Sequence, residues 1–333
     1  MQSRRSIAAF GVLAALFLVA VASSAVPSPL YPVYAERWRL SPFQLTVVFA
    51  SYMAGVLVST LVAGRVSDHV GRKPVLVVGT LGIAVSHVVL GTAQGYGALV
   101  AGRVEQGLAV GVTLAALGAA LLDHSLQSRP GLASTLNGAM PPLALATGAL
   151  ASGALVEWAP APRQLVYAVF GSLLVLLTVA LLVVPESVER RPGVVRSLRP
   201  VVAVPEQAKR LFRASAAAIA ASWALGGLFL SLLPSVLDEV FGISDHFAAG
   251  ALIAAVTGTA ALTALLLQRT DPNRVLLLGL GALIAGPVLA VVFVHAHSLT
   301  GLVVGSVVAG VGFGAGFQAP VRLLLATASP SNR

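Results

Sequence analysis

The chain has 333 residues, of which 57% are hydrophobic and only 10% charged, against about 25% charged in a soluble domain. Together with a mean hydropathy of +0.91, this excludes a water-facing surface and a large extramembrane domain. It leaves room for roughly ten to twelve membrane helices of about 20 residues each. The net charge is +9 and there is no cysteine, which excludes a disulfide framework, a thiolate metal site and a Cys nucleophile.

Ten apolar segments follow in order: Ile7–Val26, Phe43–Ala63, Pro74–Gly91, Ala98–Leu122, Leu132–Val156, Leu165–Val184, Ala214–Leu237, Phe247–Leu267, Val275–Val294 and Leu299–Ala326. Gly and Ala recur inside nearly all of them, as where helices pack closely in lipid. The apolar runs are continuous rather than alternating, which argues against a transmembrane β-barrel. The expected fold is all-α: a polytopic membrane protein.

The first segment begins after Arg4-Arg5 and ends in the small-residue run Val21–Ala25. That pattern also suits a cleavable signal peptide, but nine further segments make a retained anchor the expectation. The second segment holds Tyr52, a candidate substrate contact or a packing residue. Between the second and third lies Gly64-Arg-Val-Ser-Asp68-His-Val-Gly71-Arg72-Lys73-Pro74. Its glycines permit a tight reversal, Asp68 can cap or pair locally, and Arg72-Lys73 supplies an inside-positive anchor. Physics alone also allows a turn that only fixes topology. His87, in the third segment, reads as a hydrogen-bonded packing histidine.

The fourth segment carries Arg103, a few residues inside its outer end, and Glu105, the only carboxylate well inside a span. Burying Arg103 costs about 2.5 kcal/mol or more, so it is a functional candidate by default. It could organise a proton relay, hold an anionic substrate group, or snorkel to the interface. Glu105 points about 200° round the helix from Arg103. It is the candidate protonatable coupling site, or a carboxylate facing interfacial water. Gly148 and Gly153 mark the fifth segment as closely packed.

After the sixth segment comes a polar stretch, Pro185–Arg213, interrupted by Pro192, Pro200 and Pro205. It divides the chain into residues 1–184 with six helices, a basic linker at 185–213, and residues 214–333 with four. Trp223 and Gln318, in the seventh and tenth segments, are further candidate substrate contacts, and Arg322 reads as an interfacial anchor. His295 and His297 diverge on a helix and have no third ligand nearby, so no metal is expected. There is no HExxH, GxSxG or Walker sequence, so neither enzymatic chemistry nor ATP-driven transport is expected, and no cofactor.

With the N-terminus inside, sixteen basic residues fall in inner segments, among them Arg129, Arg199 and Arg333, while the outer loops hold three, Arg37, Arg39 and Arg163. This bias places both termini in the cytoplasm. It makes the +9 a topology signal rather than a nucleic-acid footprint. An internal repeat is also visible. Gly102, Gly107 and Gly111 recur as Gly305, Gly310 and Gly314, displaced by 203 positions, and Val75–Gly79 recurs as Val275–Gly279, displaced by 200. Segments seven to ten therefore echo one to four, and counterparts of Leu132–Val184 would fall beyond Arg333.

The turn at Gly64, Asp68, Gly71, Arg72 and Lys73 resembles the loop signature of the major facilitator superfamily, with His69 where the family usually has Arg or Lys. Arg103-Val-Glu-Gln106-Gly107, followed by Gly111, resembles that family's fourth-helix signature. Gly148–Gly153 is similar to its antiporter motif, with Ala149 and Ser152 departing from it. The resemblance implies two six-helix bundles rocking about a central site, here in a 6 + 4 arrangement that lacks the last two of twelve helices. It implies that helices one, four, seven and ten line the cavity and that Arg72 pairs with an acid at the inner end of helix four, where Asp123 lies. It also implies that Asp68 bridges to an eleventh helix, which is absent from these ten segments.

The leading expectation is a secondary active transporter of a small molecule in the cell (inner) membrane, coupled to protons and exporting drugs or metabolites. The alternative is a truncated, non-transporting membrane protein or interaction subunit, with a membrane-embedded enzyme a distant third. The expected partners are a small-molecule substrate, protons and the lipid bilayer.

Overall fold

The computed structural model describes residues 4–129, 131–198 and 209–327. Arg199, Pro200, Pro205 and Arg333 lie outside the described residues. Among the described residues, ten helices are long and apolar enough to cross a membrane: α1 (Arg4–Ala25), α2 (Pro42–Ala63), α3 (Arg72–Gly91), α4 (Tyr96–Asp123), α5 (Leu132–Trp158), α6 (Pro162–Leu181), α7 (Lys209–Phe241), α8 (His246–Leu266), α9 (Pro272–His295) and α10 (Leu299–Thr327). The described residues contain no β-strand. The fold is all-α, and the chain is an integral membrane protein. Large side chains such as Phe43, Val78, Val88, Leu176 and Leu277 stay exposed on the outer faces. They are left facing outward because the solvent there is hydrocarbon.

Local chemistry sets several boundaries. Helix α2 opens on a reciprocal capping box: Ser41 Oγ accepts from the Gln44 amide and Gln44 Oε1 from the Ser41 amide, with Pro42 at the first helical position. Asp245 caps α8 through the Ala248 amide, and Asp271 caps α9 through those of Asn273 and Arg274. Each cap satisfies amides that the helix itself leaves without partners.

One element departs from the expectation. The stretch after α1, expected as an outer loop, instead forms a 3-10 turn (Ser28–Leu30) and a short helix (Tyr31–Trp38), ended by Arg39 in the left-handed region at φ 51°. Leu30, Tyr31 and Tyr34 on it are buried. The polar residues Glu36, Arg37 and Arg39 masked this tertiary burial in the sequence.

The 203-residue echo has a structural counterpart. A Cβ on Gly102 would press on Leu90 of α3, and one on Gly305 on Ala290 of α9. A Cβ on Gly107 would lie 2.1 Å from the Tyr52 carbonyl oxygen of α2, and one on Gly310 2.4 Å from that of Val256 in α8. Gly111 and Gly314 repeat the contact one turn on, against the carbonyls of Val56 and Ala260. The α2–α3–α4 packing thus recurs as α8–α9–α10, and in both sets bare glycine is what lets the backbones touch. The first six and last four helices meet chiefly where α5 lies along α8. There a Cβ on Gly153 would come 2.5 Å from the His246 oxygen, and one on Gly250 2.4 Å from the Ala149 oxygen.

Candidate functional site: a central cavity and the turn below it

The loops joining α2–α3, α4–α5, α6–α7 and α8–α9 lie at one end of the molecule, here the basic end. At that end the five loop-signature residues and Asp123 come together. Arg72 Nη1 donates to Ser67 Oγ (2.7 Å) and contacts the Asp68 carboxylate, while its Nε donates to Asp123 Oδ2 (3.2 Å). Gly64 closes α2. Gly71 turns at φ 105°, and a Cβ there would lie 2.6 Å from a Glu186 oxygen, so only glycine fits.

Glu186 was missed by sequence reasoning. Its two oxygens accept from the Arg72 amide (2.9 Å) and the Lys73 amide (3.0 Å), capping the N-terminus of α3 from 114 residues away. The linker is strapped down further by Ser187 Oγ on Asp123 (2.9 Å), Lys73 Nζ on the Leu182 oxygen (2.8 Å) and the Arg191 amide on the His69 oxygen (2.8 Å). The one sequence clue was that α3 starts without a capping side chain of its own. Partial burial would raise the Glu186 carboxyl, but the backbone amides of Arg72, Lys73, Val188 and Ser187 outweigh it and hold the group below its usual range. The strap's contribution is therefore complete above the ordinary carboxylate pKa of about 4.3 and fades as the pH falls through the lowered value. Glu186→Gln is expected to raise hydrogen exchange at the Arg72 and Lys73 amides several-fold to about thirtyfold at neutral pH, the range of a lost helix cap. Unchanged protection would refute the strap.

Above the turn lies a cavity of about 860 Å³. It runs from Ser24 and Tyr52, deep between the helices, to Phe212 and Leu324 near the basic end. Its walls come from both halves: α1, α2, α4 and α5 on one side, α7 and α10 on the other. Helices α2 and α5 thus join the four implied by the resemblance. The lining is rich in aromatic rings, with Phe17, Phe49, Tyr52, Trp223, Phe313 and Phe317, and among the described residues it includes no charged side chain. Trp223 meets the Phe313 and Phe317 rings edge-on at 5.4 and 5.9 Å. At the opposite end the halves are closed by the α5–α8 contact, by Glu157 Oε2 accepting from the His246 amide (2.9 Å) and pairing with its Nδ1 (3.0 Å), and by Trp158 against Phe247.

Of the sequence candidates, Tyr52 and Trp223 line this cavity. Arg103 lies one layer behind it, with no exposed surface. Its Nη1 donates to the Ser24 oxygen (3.0 Å) and to Gln106 Oε1, and Gln106 Nε2 donates to the Ser23 oxygen (3.1 Å). Those carbonyls belong to the last turn of α1, the negative end of the helix dipole, where the Ser23 oxygen otherwise accepts only a long bond from the Val26 amide (3.4 Å). The guanidinium is roofed by the rings of Tyr52 (4.3 Å) and Phe49 (5.5 Å). The Tyr52 hydroxyl donates to Ser24 Oγ (2.8 Å). Gly107 and Gly111 hold α2 against α4, and Gly148 holds α5 against the Ala22 carbonyl of α1.

Glu105 is half-exposed on another face of α4 and does not line the cavity. Gln318 does not line it either: it donates to the Ala264 oxygen (2.8 Å) at the end of α8. Nearby, Arg322 donates to the oxygens of Leu267 and Thr270.

Among the described residues, ten helices of membrane-spanning length in two partly repeated sets, with a cavity between them, have the architecture of a membrane transporter. The family model of the Major Facilitator Superfamily matches residues 12–333. The chain belongs to that family, and it is a transporter rather than an enzyme. It is 28% identical over 294 residues to the multidrug resistance protein MdtL of Salmonella heidelberg, covering 85% of this chain and 72% of the relative. To the MdtL of Klebsiella pneumoniae it is 35% identical over 80 residues, 24% of this chain and 20% of that one. Among solved structures, a bacterial homologue of the human lysosomal transporter Spinster, inward-facing and occupied, aligns with a TM-score of 0.73 at 18% identity, covering 100% of this chain and 77% of that one. The nucleoside transporter NupG aligns with a TM-score of 0.68 at 12% identity, covering 99% of this chain and 84% of that one. These two likenesses concern the fold.

Proposed function

We propose that this chain exports lipophilic, aromatic small molecules across the cell (inner) membrane by alternating access, driven by an inward proton gradient. The observation that carries this reading is the cavity: about 860 Å³, walled by aromatic rings from both halves and, among the described residues, without a charged side chain in its lining. Such a site binds by desolvation and ring stacking rather than by a fixed set of hydrogen bonds. The similarity to multidrug resistance proteins supports the same substrate class. Residues 1–184 and 214–333 act as the two rocking bodies joined by the linker at 185–213, with both termini in the cytoplasm, so the cavity faces the cytoplasm in this conformation. Arg72, Asp68 and Asp123 act as the gating network at that side. Glu105, the one carboxylate well inside a span, is the proposed proton-coupling group.

Cells producing the chain are expected to accumulate several-fold less N-phenyl-1-naphthylamine than cells lacking it, and a protonophore should erase the difference. Equal accumulation would reject the exporter. Trp223→Ala should weaken extrusion by removing a stacking wall. Glu105→Gln should abolish gradient-driven flux while leaving membrane insertion intact, and full flux in that variant would remove Glu105 from the coupling role.

A further inference from the structure

Arg103 is fully buried, yet among the described residues no carboxylate pairs with it and no group hydrogen-bonds its Nε or Nη2. A guanidinium stays charged in proteins, and an uncompensated buried charge is among the most unfavourable arrangements a fold can keep. The orphaned pair is chemically specific. Nε and Nη2 form the side edge of the guanidinium, whose two N–H bonds run parallel and fit the two oxygens of a carboxylate. Nη1 is already committed to Ser24 and Gln106, so the group is fixed in place with that edge unused. The Tyr31 hydroxyl, also fully buried and unpartnered, lies within electrostatic reach of the same charge.

What separates Arg103 from the cavity is thin. Ser24, Phe49 and Tyr52 each touch the arginine, and each lines the cavity. The Phe49 ring rests on bare backbone of α7, where a Cβ on Gly227 would lie 2.7 Å from it. The only side chains between the guanidinium and the cavity that the contacts name are therefore these two rings and Ser24, and Phe49 is held in place by its contact with α7.

We propose that Arg103 is a concealed carboxylate-binding site beneath the Phe49–Tyr52 rings, and that the cavity's preferred substrates are aromatic carboxylates rather than lipophilic cations. The proposal rests on the transporter reading above and narrows its substrate class. The aromatic walls hold the apolar body, while the fork behind them takes the charged end. Among the described residues the cavity offers no carboxylate to attract a cation, and the Arg103 charge repels one.

The test uses purified full-length protein carrying Trp38→Phe and Trp158→Phe, so that Trp223 fluorescence reports the cavity. It is titrated at neutral pH with 1-naphthoate, 1-naphthylmethanol and 1-naphthylmethylammonium. The expected result is naphthoate binding about tenfold or more tighter than the alcohol, the size of a charge-assisted bidentate contact, and ammonium binding weaker than either. Arg103→Gln should remove the naphthoate advantage and leave the alcohol unchanged. Arg103→Lys, which keeps the charge but not the fork, should retain only part of it. The comparison of three ligands on unsubstituted Arg103 is decisive even if the variants fail to fold. Equal binding of acid and alcohol overturns the Arg103 site while leaving the cavity reading intact, and binding of none of them overturns both. Acetate tests the source of the anion. Competition with naphthoate alone supports the site, whereas thermal stabilisation by acetate as large as by naphthoate assigns the fork to a small free anion and overturns the substrate assignment.

Discussion

Gly107→Leu is expected to abolish the folded protein. A Cβ at position 107 would lie 2.1 Å from the Tyr52 oxygen and 3.1 Å from Gly55. These are backbone atoms of a rigid helix that no rotamer change can move aside. The α2–α4 contact would have to open along its length, and in lipid no hydrophobic effect between helices compensates for the lost van der Waals contact. Extra methylenes in a packed core cost about 1–3 kcal/mol even where side chains can yield. Here both partners are main chain, and Tyr52, which roofs Arg103, is displaced with them. Size-exclusion profiles and thermal melting in detergent check the outcome. Gly107→Ala should lose many degrees of melting temperature, and Gly107→Leu should yield no monodisperse peak. A methyl group added at Gly281 or Gly97 would meet nothing within 4 Å. Alanine at either should be neutral or stabilising by up to about 1 kcal/mol through helix propensity. Equal tolerance at positions 107 and 281 would contradict the packing argument.

Gly250→Val should act on conformation rather than on folding. A Cβ there would sit 2.4 Å from the Ala149 oxygen, in the α5–α8 seam that joins the two halves and closes the end opposite the cavity mouth. This seam must part for that end to open, so crowding it penalises the closed form selectively. At about 1–3 kcal/mol of overpacking, the equilibrium moves about 5- to 150-fold toward the form open at that end. The chain has no cysteine, so a single Cys at Leu230, which lines the cavity, can be labelled without background. Labelling from the opposite side should rise about fivefold or more in the Gly250→Val variant and fall from the basic side. Unchanged labelling from both sides would show that the seam is not the gate.

The helix count and most helix starts were legible because they depend on local chemistry: continuous apolar runs between charges, and caps such as Ser41, Asp245 and Asp271 beside the chain they cap. The glycine echo was legible for the same reason, since glycine is where backbones touch whatever the rest of the sequence does. The helix at Tyr31–Trp38 was not, because its burial comes from distant elements while its own residues read as polar. Glu186 was hidden by distance along the chain: a carboxylate after α6 gives no local sign that it caps α3. Arg103 and Glu105 looked like equal candidates two positions apart, and periodicity said only that they diverge. Packing distinguished them, burying Arg103 against the end of α1 behind the cavity wall and leaving Glu105 half-exposed on another face.

The sequence by itself determined that this chain lives in a bilayer, how many times it can cross, and that its second part echoes its first. Each of these follows from transfer free energy and residue spacing along one dimension. Only the tertiary structure decided which aromatic side chains share a cavity, that no described residue in its lining is charged, and that an arginine with two unused donors lies one ring's thickness behind it. Those properties depend on which helix faces meet, and that is set by the close contacts of glycines with carbonyls tens to hundreds of residues away.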